Sequence, residues 1–300
     1  MSLTQKEKSN IERYLKTSGI SPNESISKAD TASGGCISKA VIATMSDGKE
    51  LFIKYSGSSS DKEMQCNRDM FFSEIEGLKA LLQTDTFRVP EPLGSGQVSD
   101  NGVVLVTEKI SLSSLKDHRR FGICLAKMHL YKGPSKFGFH IDNFIGSTPQ
   151  QNTWSDDWVQ FLHKRLKFQF DSAQFTGSLR AASQELLDRL PQFFEGIEIT
   201  PSLIHGDLWF GNCAEDEHGM PVIFDPAAYW GHSEAELGIM RLFGGFKSEL
   251  FEAYHELIPR APGFKKRGYI YELYHVVNHY NLFGSGYLGQ CQQLLERILD

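Results

Sequence analysis

"LIHGDLWFGN", residues 203–212, is the stretch on which the fold of this chain turns. Leu203 and Ile204 close a short apolar run of the kind that forms a buried strand, and the chain leaves it at His205. Asp207 and Asn212 then stand five residues apart in a loop. Downstream, "GMPVIFDPA" (219–227) runs a second short strand into Asp225. The turn composition of "EDEHG" (215–219) predicts a hairpin over 212–225, which sets Asn212 and Asp225 side by side and keeps Asp207 close. Oxygen-only donors that include a carboxylate suit Mg²⁺, which keeps waters and leans on substrate phosphates. A further carboxylate that the metal does not need is free to take a hydroxyl proton. Taken singly, each residue reads as well as a loop cap or turn residue. The weight comes from the set.

Working outward, "TASGGCISKAVIATMSDGKELFIKYS" (31–56) reads as a β-hairpin with a turn at "SDGK" and Lys54 on its second strand, the side chain on the face opposite Leu51, Ile53 and Tyr55. Residues 64–83 form a helix whose apolar face is Phe71, Ile75, Leu78 and Leu82, with Glu74 inside that stripe. A carboxylate there is costly unless it meets a cation, and Lys54 is the nearest upstream candidate. Gly34 and Gly35 precede the first strand, where backbone N–H groups can approach a phosphate, although an ordinary turn is the alternative. "RVPEPLGSGQVSDNG" (88–102) is turn-rich. "VVLVTEKI" (103–110) is a buried-type strand, and its end at Glu108, Lys109 and Ile110 is where backbone groups would meet a nucleotide base. A short amphipathic helix covers 4–16. After residue 110 the chain is mostly helical (115–131, 154–171, 178–195 and 234–299), with short strands only at 201–205, 212–214 and 221–225. The expected class is α+β with two lobes, a sheet-rich lobe over 1–108 and a helical lobe over 109–300.

A glycine loop, strand lysine, helix glutamate, H-x-D-x-x-x-x-N and strand-end aspartate occur in that order, the part list of phosphoryl transfer in protein-kinase-like enzymes. Gly206 follows His205 where protein kinases have arginine, "FDP" stands for D-F-G, and no A-P-E is present, which points to small-molecule kinases. The chain resembles the fructosamine (ketosamine) kinases, relatives of aminoglycoside and choline kinases. The resemblance rests on "GGCI", "FIKYS", "SEIEGLKAL", "FGFHIDNFIGSTPQQNTWSDDWVQF", "HGDLWFGN" and "FDPAAYWGHSEAELGIMRLFGGF", about residues 31 to 246. It implies ATP-dependent phosphorylation of a sugar hydroxyl on ketosamines, a deglycation step. It also implies a protein-kinase-like fold with ATP and Mg²⁺. Lys54, fixed by Glu74, would hold the phosphates, Asn212 and Asp225 the Mg²⁺, and Asp207 would serve as base. A kinase of another amino alcohol or aminoglycoside-like compound, or a non-catalytic nucleotide-binding protein, are the alternatives.

Trp209 offers a face for a sugar ring or a cationic amine, or a core contact. His205 reads as a brace for the loop. Asp156 and Asp157 read as first-turn acids of a helix capped by Ser155. The 300 residues carry a net charge of −6 with no long basic run, which argues against a nucleic-acid partner. There is no run of membrane-spanning length and no apolar leader. Five cysteines without C-x-x-C spacing fit a reducing cytoplasm. Cys36, beside the Gly-Gly pair, is either a small buried residue or an accessible thiol, so the expected state is a monomer or a redox-dependent homodimer.

Overall fold

The computed structural model describes residues 3–32 and 38–300, so the expectations for Gly34, Gly35 and Cys36 lie outside the described residues. The elements in chain order are α1 (Gln5–Thr17), β1 (Ile26–Thr31), β2 (Lys39–Met45), β3 (Glu50–Gly57), α2 (Asp61–Leu82), β4 (Pro92–Ser99), β5 (Gly102–Glu108), α3 (His118–His129), β6 (Asn143–Ile145), β7 (Thr148–Gln150), α4 (Trp158–Ala173), α5 (Gly177–Arg189), β8 (Ser202–Ile204), β9 (Cys213–Glu215), β10 (Pro221–Ile223), β11 (Tyr229–Gly231), α6 (Ser233–Leu242), α7 (Ser248–Leu257), α8 (Phe264–Phe283) and α9 (Leu288–Leu299).

The first five strands form one antiparallel sheet in the order β1-β2-β3-β5-β4. Period-2 alternation divides its two faces. Leu51, Ile53 and Tyr55 join Val41, Val104 and Val106 against Ile11 and Leu15 of α1. The opposite face carries Val103 and Leu105, which pack on Met64, Phe71 and Ile75 of α2. Lys54, opposite Leu105 in the β3–β5 ladder, lies on this second face, and burial there leaves it 7% exposed. The helical part encloses a larger core in which α3, α4, α6, α8 and α9 meet the short strands, with Phe121, Leu166, Ile270 and Val277 at 0% exposure. β9 and β10 form the expected hairpin around a turn at 216–219, with Cys213 opposite Ile223. β11 folds straight back on β8, Tyr229 opposite Ile204. The architecture is the two-layered α+β arrangement of kinase-like proteins, antiparallel sheet first and helices after.

Three local expectations are corrected. The turn-rich stretch 88–102 contains strand β4. Its glycines serve packing, because Tyr14 of α1 lies on them and a Cβ at Gly96 would sit 2.7 Å from the tyrosine ring. Strand β1 escaped prediction because it is a polar edge strand, with Ile26 its single buried residue. Helix α4 begins at Trp158, and its cap is Asp157, whose carboxylate accepts the Gln160 N–H at 2.8 Å, while Ser155 instead bonds the backbone of Asp157.

Candidate active site

Between the sheet, the β8–β10 loops and α8 lies an open cavity of about 490 Å³ lined by Lys54, Glu74, Asp207, Trp209, Asn212 and Asp225, among others. Six residues singled out from the sequence therefore meet at one place. Lys54 Nζ donates to Glu74 Oε1 and to Asp225 Oδ1, both at 2.7 Å. The helix carboxylate inside an apolar stripe thus finds the strand cation, and that cation reaches across to the strand-end aspartate. Burial alone would lower the Lys54 pKa, but Asp225 and Glu74 outweigh it and raise it. Burial pushes Glu74 upward, Lys54 pulls it back and Asp225 raises it again, leaving it at about 7. Asp225 holds φ +60°, a left-handed conformation that a non-glycine residue adopts only where its surroundings fix it.

The H-x-D loop is held from below. His205 Nε2 bonds the Phe224 carbonyl at 2.9 Å, so that nitrogen carries the proton and Nδ1 accepts the Asp207 N–H at 3.3 Å. Burial lowers the His205 pKa, so the ring stays neutral and acts as the expected brace. Gly206, at φ +82°, brings the loop so near the next segment that a Cβ would stand 2.3 Å from the Ala227 carbonyl oxygen. Asn212 Nδ2 donates to the Asp207 carbonyl at 2.8 Å and to its carboxylate at 3.2 Å. Burial, then Asp225 and Glu236, raise Asp207 well above the usual carboxylate range, with the Asn212 bond pulling the other way.

Asn212 spends its amide N–H groups on Asp207, which leaves its carbonyl oxygen for the cavity, and Asp225 gives one oxygen to Lys54 and keeps the other. Among the described residues no three His, Cys, Asp or Glu side chains are grouped to hold a metal by themselves. Two protein oxygens completed by phosphate oxygens and water are a donor set that Mg²⁺ accepts, so the residues present fit that ion.

The strand-end trio sits apart from this cluster and does not line the cavity. Glu108 forms a bidentate pair with Arg88 at 2.5 and 2.6 Å, and its N–H donates to the Glu91 carbonyl at 3.0 Å, so it is not a free backbone donor. Lys109 pairs with Glu50 at 3.0 Å. Other functional positions went unpredicted. Glu236 of α6, 0% exposed, accepts the backbone N–H groups of His205 and Gly206, the latter at 3.0 Å, and so anchors the loop that carries Asp207. Its signal was the one that exposed Glu74, a carboxylate inside an apolar helix ("SEAELGIM"). The β6–β7 hairpin contributes Phe144 and Ser147 to the wall, and α8 contributes Asn278 and His279. A buried network fixes that hairpin, with Gln150 accepting from Tyr274 at 2.7 Å and from Arg165, and Asn143 donating to the Ala228 carbonyl at 2.8 Å.

Fold and site together define a phosphotransferase of the kinase-like class, with lysine, glutamate, H-x-D loop and strand-end aspartate around one cleft. Over residues 8–300 the sequence matches the family model described as fructosamine kinase, and the chain belongs to that family. It is 39% identical over 295 residues to the chloroplastic protein-ribulosamine 3-kinase of Oryza sativa subsp. japonica, an alignment covering 96% of this chain and 83% of the rice protein. It is 36% identical to the ketosamine-3-kinase of Mus musculus, with 91% and 96% covered. A crystal structure of a Haemophilus somnus protein assigned as a fructosamine-3-kinase superposes with a TM-score of 0.84 at 24% identity, over 97% of both chains.

Proposed function

We propose that this protein transfers the γ-phosphoryl group of MgATP to a sugar hydroxyl of ketosamines, in a deglycation step. The observation that carries this reading is Lys54 Nζ suspended at 2.7 Å between Glu74 and Asp225, on one cavity wall with Asp207 and Asn212. The substrate class follows the named activities of the rice and mouse relatives, and because both are named 3-kinases the acceptor in this reading is the hydroxyl on sugar carbon 3. In this reading the nucleotide-binding lobe ends at residue 108 and the acceptor lobe begins at 109.

Lys54, aimed by Glu74, presents its ammonium to the phosphates. Asn212 and Asp225 would hold Mg²⁺, which when bound neutralises phosphate charge. Asp207 orients the acceptor hydroxyl and takes its proton as the new oxygen–phosphorus bond forms and the bond to ADP breaks. In its ionised form a carboxylate whose pKa burial raises is a stronger base toward a hydroxyl than a solvated one, and positioning with charge neutralisation supplies most of the rate. Trp209, 40% exposed at the rim, offers its face to the substrate. Among the described residues no helix is long and apolar enough to cross a membrane, and Cys66, Cys124, Cys213 and Cys291 are free thiols, in keeping with a reducing cytoplasm. The test is phosphorus NMR of the product formed from MgATP and a simple fructosamine. A new phosphomonoester on the sugar, with little turnover of glucose or choline, is expected. Equal turnover of glucose, choline or an aminoglycoside would overturn the substrate assignment.

A further inference from the structure

From the loop that carries Asp207, a row of aromatic side chains runs outward over α8. Trp209 meets Phe243 edge-on with ring centres 6.0 Å apart, Phe243 lies 4.9 Å from His279, and His279 lies 5.5 Å from Phe283. Trp209, Phe243 and Phe283 are 40, 42 and 60% exposed, and with His279 they line the cavity. Single exposed aromatic residues need no explanation, but a contiguous row leading away from a reaction centre does.

His279 is the polar member of the row, and its hydrogen bonding fixes its chemistry. Nδ1 lies 2.8 Å from the His275 carbonyl oxygen and must donate to it. The neutral ring therefore presents Nε2 as an acceptor, and Nε2 has no hydrogen-bond partner among the described residues. Burial lowers the ring's pKa, which keeps it neutral where an alkylammonium is protonated. The cavity is also short of positive charge. Among the described lining residues Lys54 is the one cation, and Glu74 and Asp225 already pair with it. Such a site favours a cationic ligand, and aromatic faces add to that preference.

Resting on the ketosamine reading above, we propose that His279 Nε2 accepts the N–H of the substrate's secondary ammonium, while Trp209, Phe243 and Phe283 cover the carbon chain that the amine carries. A ketosamine differs from a free ketose by that ammonium and its chain. The subsite thus recognises what glycation adds, and Asp207 acts on the sugar that every ketose shares. His279 is a specificity residue, with no part in the chemical step.

The experiment pairs an N-alkyl fructosamine with the ether that has oxygen in place of nitrogen, the ether being measured as substrate or as competitive inhibitor. His279→Phe keeps the aromatic packing and removes the acceptor, and His279→Gln restores an acceptor. The phenylalanine variant is expected to lower kcat/KM for the amine about 10- to 100-fold, the range for a lost hydrogen bond to a charged group. The ether should change by less than about threefold, since it offers no N–H. KM for MgATP stays at the wild-type value, and the glutamine variant recovers part of the amine preference. Amine and ether falling together, or neither falling, overturns the proposal. A wild-type enzyme that phosphorylates no ketosamine fails earlier and separately, and takes the substrate reading down with it.

Discussion

Replacing Lys54 by methionine tests how the three charges of the cleft hold one another. Lys54, Glu74 and Asp225 have side chains 9, 13 and 32% exposed, and the lysine touches both acids at 2.7 Å. With the ammonium present the group carries one net negative charge. Without it, two carboxylates face each other with little water between them. Removing one partner of a buried ion pair costs roughly 3–5 kcal/mol. Because cavity water reaches Asp225, the expected loss at pH 8 is smaller, about 2–3 kcal/mol. Glu74→Gln does the opposite, since it removes the excess charge and leaves Lys54 paired with Asp225, so its stability should stay within about 1 kcal/mol of wild type. The two variants differ further in pH dependence. Glu74 already stands at about 7, raised by burial and Asp225 against the pull of Lys54. Losing Lys54 raises it more. A carboxyl whose folded pKa exceeds its unfolded value costs stability at high pH, and the cost is relieved as pH falls through the folded value. The Lys54→Met deficit relative to wild type should therefore be largest at pH 8 and shrink at pH 5.5. Urea unfolding of wild type and both variants at the two pH values measures this, and titrations elsewhere cancel in the difference. An equal deficit at both pH values, or a Glu74→Gln deficit as large as that of Lys54→Met, refutes the reasoning.

Asp207→Asn should leave MgATP affinity near wild type while kcat falls by about 10²–10⁴, the range for a positioned general base, whereas Asp225→Asn should weaken MgATP binding and recover partly at high Mg²⁺. Isothermal titration beside steady-state kinetics separates the two, and loss of nucleotide binding in Asp207→Asn would reverse the assignment. Burial lowers His232 and His275 to about 3, so both stay neutral when folded and gain protons on unfolding as pH drops below the ordinary histidine value. Their contribution to stability is complete above that value and is lost as pH falls toward 3. His275→Gln should thus gain on wild type by about 2 kcal/mol between pH 7.5 and 5 in urea midpoints, and an unchanged difference would contradict it.

What the sequence made legible depended on cost and spacing. Glu74 stood out because a carboxylate within an apolar helical stripe must have a partner. Asp207, Asn212 and Asp225 stood out because a short hairpin fixes their spacing. Glu236 gives the same kind of signal as Glu74, but its partners are backbone N–H groups, which no side-chain pattern announces. The β6–β7 hairpin was illegible because three-residue strands carry no period, and its order comes from Arg165 and Tyr274, both distant in the chain. His279 hides in an ordinary helix, and folding alone places it beside Phe243. The strand end at 108–110 marks a real sheet boundary, yet the Arg88 pair that occupies Glu108 could not be read from strand periodicity.

The closeness of Gly206 to Ala227 reaches beyond geometry. Ala227 donates its N–H to the His205 carbonyl at 2.9 Å, and only three residues separate Asp225 from the strand that pairs with β8. Protein kinases place a phosphorylatable loop after that aspartate and an arginine after the histidine. Here no loop intervenes, and a side chain at 206 would collide with a backbone oxygen. Among the described residues, the segment from Asp225 to β11 offers no seat for a covalent on-switch of that design. A switch of that design could be added only by rebuilding the backbone on both sides of the site.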